Sequence, residues 1–155
     1  MKARIIQLFN FNDWGNDLVL KTIKSFAIDD VKLLQIFSHI ISAQDIWLES
    51  IHGNHDWSIS VWDSFSIQEC MVLTKQSTDN WLRFLKKTKV KDFEEYCSYL
   101  DSKGNPNQNS LIDICEHLII HSAHHRSQIN FILREKGFEP AKIDFIHYCR
   151  EQQNS

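Results

Sequence analysis

Between Ser110 and Gly137 the chain contains neither glycine nor proline, and its apolar residues recur with a helical period. At roughly 100° per residue, Leu111, Ile114, Cys115, Leu118, His125, Ile129, Ile132 and Leu133 share one inward stripe. Asn109 or Ser110 suits the N-cap, and Lys136-Gly137 suits the exit. Only four glycines and two prolines occur in all 155 residues. That scarcity leaves room for long helices and argues against a many-turned sandwich or barrel.

The rest of the chain repeats the pattern. Residues 3–26 read as a first helix with Ile5, Leu8, Phe9, Leu18, Leu20 and Ile23 on its apolar side and a kink signal at Asn12 and Gly15. Asp29 or Asp30 caps a second helix, which runs to about Ile51 and is closed by Gly53. Its apolar set is Leu33, Phe37, Ile40, Ile41, Trp47, Leu48 and Ile51. After a loop over 52–65, Ser64 or Ser66 opens a third helix reaching Lys87. Phe93, Tyr96, Tyr99 and Leu100 then lead into a turn signal at 102–107, which fits a short hairpin. Ile143–Arg150 fits a short terminal helix. The expected architecture is all-α: a single-domain four-helix bundle over residues 1–155, with a hairpin-like connection between helices three and four.

Composition bounds the function. The formal net charge of -3 gives no electrostatic reason to bind nucleic acid. The lysines at 86, 87, 89 and 91 are followed at once by Asp92, Glu94 and Glu95 and read as a solvated helix end. No apolar run approaches a membrane span, and the start lacks a signal-like apolar core, so a cytoplasmic protein with no membrane partner is expected. Cys70, Cys97, Cys115 and Cys149 form no CxxC, which supports neither a zinc ribbon nor a redox pair. Cys115 reads as core packing.

Histidine carries the chemistry. His121 and His125 lie four apart on the fourth helix, so both imidazoles reach one side and one ion. A third imidazole from another helix would complete a tripod with coordination positions left open, the arrangement of a reactive rather than a purely structural site. His39 is the candidate on helix two, although it falls roughly 140° from the centre of that helix's apolar stripe and so reads equally as a surface residue. His117 competes, because His117 and His121 have the same spacing. A core histidine bonded to a serine or carboxylate is the alternative for each. His124 points away from the inward face, His52 and His55 read as loop residues, and His147 carries no role. Trp57 and Trp62 either line a substrate pocket or anchor their loop. HExxH, GxSxG, P-loop and Rossmann patterns are all absent.

The segment HIISAQDIWLESIHG from His39 to Gly53 resembles a signature of the DinB-like superfamily, with a histidine, an apolar pair, a small residue and Trp-Leu. HLIIHSAHHRSQINFILREKGFEPAKIDFIHY, His117 to Tyr148, resembles the second signature, with its histidine pair, Arg, Gln and Gly-then-Pro exit. Phe11-Asn12 and Trp14 near the start also suit the family. The resemblance implies a four-helix bundle holding a divalent metal on three histidines, which here would be His39, His121 and His125 rather than His117. It further implies a small-molecule substrate and makes a homodimer reasonable. Family members include S-transferases that use bacillithiol, mycothiol or glutathione and a maleylpyruvate isomerase, while many have no assigned reaction. The expectation is therefore a metal-dependent S-transferase or hydrolase, with a low-molecular-weight thiol as a candidate cosubstrate. Zinc or nickel suits the imidazoles best, with iron or manganese as alternatives. The rival expectation is a non-catalytic bundle with structural or no metal, acting through a partner. Ser127 and Gln44 depart from the family pattern, in which glycine and an acidic residue are usual, and Gln44 bears on a salt bridge to Arg126.

Overall fold

The computed structural model describes residues 1–28, 30–54, 63–101 and 103–153. Four long helices, α1 (Lys2–Ser25), α2 (Val31–Ile51), α3 (Ile67–Lys87) and α4 (Leu111–Glu135), form an all-α bundle. A 3-10 turn over Val90–Glu94 and an antiparallel hairpin, β1 (Tyr96–Leu100) with β2 (Pro106–Ser110), connect α3 to α4. A short α5 (Phe145–Gln153) follows. Both α1 and α2 pack against α3 and α4, so α1 and α2 lie diagonally across the bundle.

Local chemistry sets the helix starts. The Asp30 carboxylate accepts the Lys32 and Leu33 N–H groups at 2.9 and 3.1 Å, filling orphan donors of the first turn of α2. Its other oxygen meets Lys136 Nζ at 2.6 Å, tying the start of α2 to the end of α4. Ser66 and Glu69 form a reciprocal capping box on α3, and Ser110 Oγ accepts the Asp113 N–H at 3.2 Å on α4. Gly53 and Gly137 take positive φ just beyond α2 and α4, where a side chain would be strained.

Two apolar clusters fill the bundle. Ile5, Phe9, Trp81, Leu85, Phe93, Ile114 and Leu118 belong to one, beside the hairpin end. Val19, Ile23, Leu33, Phe37, Ile40, Ile129 and Leu133 belong to the other. Within α1, Leu8 and Leu18 are only partly buried, while Val19 is fully buried.

Between the clusters lies a buried polar layer drawn from all four long helices: Asn12 and Asn16 from α1, Gln44 from α2, Ser77 from α3, and Ser122 and Arg126 from α4. Asn12 Nδ2 donates to Gln44 Oε1 at 2.8 Å and to Ser122 Oγ at 3.3 Å. Gln44 Nε2 donates to Ser77 Oγ at 3.4 Å, and the Gln44 carbonyl accepts Trp81 Nε1 at 2.9 Å. Arg126 Nη1 donates to Asn12 Oδ1 and, at 2.8 Å, to Asn16 Oδ1. The kink signal at Asn12 and Gly15 thus has a different meaning. Helix α1 is unbroken from Lys2 to Ser25, and a Cβ on Gly15 would stand 3.0 Å from Arg126 Nε. Glycine is there to let the guanidinium lie against the α1 backbone.

Candidate metal centre

The tripod forms across the contact between α2 and α4. His39 of α2 and His121 of α4 bring their Nε2 atoms to 3.0 Å, and His125 Nε2 lies 3.1 Å from His121 Nε2. One ring nitrogen from each residue lies within 4.8 Å of the other two. The i, i+4 spacing places His121 and His125 on one side of α4, with ring centroids 4.4 Å apart.

His39 corrects the periodicity argument, since it is only 8% exposed. A single-stripe projection assumes one dry face, but every residue from Ile36 to Gln44 is buried in α2. With α3 and α4 on either side and β1 against it, the helix has a dry arc wide enough to take in a residue far from the stripe centre. His117 stands outside the cluster. Its ring packs edge-on to Trp47 at 5.6 Å and lies 5.6 Å from His121. His52 is held by the Leu48 carbonyl at 2.8 Å and covers Phe84, and His147 lies beside Asp144. His55, Trp57 and Trp62 fall outside the described residues.

Second contacts fix the ring tautomers. His125 Nδ1–H donates to Gln128 Oε1 at 2.8 Å, which leaves a lone pair on Nε2, the nitrogen facing its neighbours. Gln128 Nε2 in turn donates to His124 Nε2 at 3.0 Å. Helical projection puts Gln128 on the flank beside His121 and His124 at the surface or just behind the ring cluster, and both support the site from there. The readable signal was the i+3 spacing from His125 to Gln128.

Burial keeps the His121 and His125 rings neutral. Burial, reinforced by the His125, His39, His117 and His124 imidazoles, pushes the His121 pKa down to about 3. Burial lowers His125 as well, partly offset by Gln128. The three nitrogens cannot satisfy one another, because an in-plane ring nitrogen serves one hydrogen bond and His121 Nε2 faces two. His121 Nδ1 is also buried and has no hydrogen-bond partner among the described residues. Three imidazole nitrogens converging from two helices are a donor set that fits a divalent cation.

Arg126 follows His125 directly but faces the polar layer. It is fully buried, and among the described residues no carboxylate pairs with it. Burial lowers its pKa to about 10, so it stays charged at neutral pH. Phe11 offers the guanidinium a ring face at 5.5 Å. With Gln44 in place of an acid, the link from α2 to Arg126 runs through the Asn12 amide.

A family model described as "DinB family" matches residues 1–155. The chain belongs to the DinB family. Among solved structures it is similar to a DinB-like protein from Bacillus cereus ATCC 10987, with a TM-score of 0.67 and 17% identity. The match covers 88% of this chain and 93% of that one. At that identity the likeness speaks for the DinB-like fold alone. No match is found among curated proteins. No described helix is long and apolar enough to cross a membrane.

Proposed function

We propose that the protein holds a divalent metal, zinc or nickel, on the Nε2 atoms of His39, His121 and His125, and works as a metal-dependent enzyme on a small molecule. The observation that supports this reading is the convergence of the three Nε2 atoms, with His121 Nε2 at 3.0 Å from His39 and 3.1 Å from His125. A cation bound by three neutral imidazoles keeps its full charge and acidifies a bound thiol or water. Family membership favours thiol-dependent S-transfer over hydrolysis. The chain's own residues orient and shelter the site. Gln128 fixes the His125 tautomer, and burial of His121 keeps its ring unprotonated at neutral pH.

Elemental analysis of untagged protein, never exposed to a chelating column, is the direct test. About one metal per chain, lost in His39→Ala, His121→Ala and His125→Ala, is the expected result. Turnover of thiol and electrophile by the loaded wild type alone would then separate S-transfer from hydrolysis. No metal in any sample, even after reloading, would overturn the reading and leave a non-catalytic bundle.

A further inference from the structure

A groove runs along the same two helices beside the tripod. Lys32, Gln35 and Ile36 of α2 and His124, Ser127, Gln128, Phe131 and Ile132 of α4 line a cavity of about 680 Å³. Lys32, Gln35 and Ile36 precede His39 by seven, four and three residues, and Gln128 and Ile132 follow His125 by three and seven. These are the spacings of one helix face, so the walls of the groove extend the faces that carry the histidines. Gln128 belongs to both, through its hydrogen bond to His125. The floor is apolar where Ile36 and Ile132 meet, and Phe131 stands 60% exposed at its edge. Seven residues of α2 place Lys32 about 10 Å from His39 along the helix.

Lys32 is the one charged residue in this lining. Its ammonium has no partner among the described residues, whereas the nearby Asp30 carboxylate is already taken by Lys136. The ammonium therefore stands ready for an anion at the far end of an apolar track.

We propose that this groove binds small molecules with an apolar body about 10 Å long and an anionic group at the end remote from the tripod, read by Lys32. The substrate class of the proposed enzyme is then an amphiphilic anion such as a medium-chain or aryl-alkyl carboxylate, and to that extent the inference rests on the metal-site reading. The recognition itself does not require the metal. Ile36, Ile132 and Phe131 bury the body, and Lys32 fixes its direction, presenting the uncharged end to the histidines.

The test uses octanoate, octan-1-ol and octylammonium as probes, followed by methyl NMR of Ile36 and Ile132 in zinc-loaded full-length protein. Octanoate is expected to shift both isoleucines and to bind more tightly than octylammonium. Lys32→Gln should weaken octanoate about three- to five-fold and leave octan-1-ol unchanged. Phe131→Ala, a surface truncation that leaves the core intact, should weaken octanoate and octan-1-ol alike by about ten-fold. Octanoate binding that ignores Lys32 and vanishes in His121→Ala would mean that the carboxylate goes to the metal, overturning the proposal. Absence of shifts at both isoleucines would overturn it too. Metal content measured on the same samples tells the two readings apart. Lys32-dependent binding in a chain that holds no metal would sink the enzyme and keep the groove.

Discussion

The histidine tripod and the Arg126 layer are built from adjacent residues of α4, yet they are opposite solutions to placing polar groups in a helical bundle. Arg126 spends its Nη1 donor inside the protein, on Asn12 and Asn16, while its Nε and Nη2 have no hydrogen-bond partner among the described residues, and it is sealed at 0% exposure. His121 and His125 turn their nitrogens toward each other and His39 and stay partly open to solvent. A turn of about 100° between neighbours on a helix is enough to separate them. The first arrangement joins four helices across the junction of two apolar clusters. The second gathers three ring nitrogens where one cation could meet them all. A buried donor that reaches across to other helices helps specify the fold, and ring nitrogens that converge on one point offer a site.

The sharpest way to break this contrast is Arg126→Ala. It removes the donor to Asn12 and Asn16 and opens a cavity, so unfolding in urea should show a loss of about 3–5 kcal/mol. His121→Ala should do the reverse. Metal affinity should fall by more than about 100-fold, beyond what second-contact changes usually cause, while the metal-free protein keeps its stability within about 1 kcal/mol. A large loss of stability in metal-free His121→Ala would show that the tripod is a structural device after all.

Gln128→Ala probes the support of the site. It deprives His125 Nδ1–H of its acceptor and should weaken metal binding by about 10- to 100-fold, read by competition with a chelator. Gly15→Ala probes the support of the layer. The new Cβ would meet Arg126 Nε at 3.0 Å and Cζ at 3.2 Å. Overpacking of about 1–3 kcal/mol opposes a helix-propensity gain of about 1 kcal/mol. A net loss of about 1 kcal/mol is expected, and a gain would mean that the guanidinium moves aside at little cost.

The remaining effect is in pH. The His121 pKa lies near 3 in the folded chain against 6.5 for the ordinary imidazole. Between those values the unfolded chain binds the extra proton. The metal-free protein should therefore have its full His121 contribution above about pH 6.5 and lose it as the pH falls toward 3. Urea midpoints across that range, compared with His121→Ala, check the sign: the variant should give the flatter profile.

Much of the bundle was legible from residues alone. Of the paired cap candidates, Asp30, Ser66 and Ser110 are the observed caps, and the described part of the turn signal, 103–107, falls in the observed hairpin. The polar layer was not read, although its signal was present. Ser122 lies four residues after Leu118 and Arg126 four after that, in step with the buried stripe, but their polarity hid them from a search for apolar period. Asn12 and Gly15 looked like a helix breaker and are instead the seat of Arg126.

By itself the sequence determined the helices, their approximate ends and the i, i+4 histidine spacing on the fourth helix, because all of these follow from neighbours within a few residues and from the 3.6-residue turn. Spacing left His117–His121 open beside His121–His125 and the family resemblance chose His39, His121 and His125, but only the tertiary structure brought those three rings together and buried His39 and Arg126. Those outcomes depend on how α2 and α1 lie against α4, a packing of distant segments that no local period encodes.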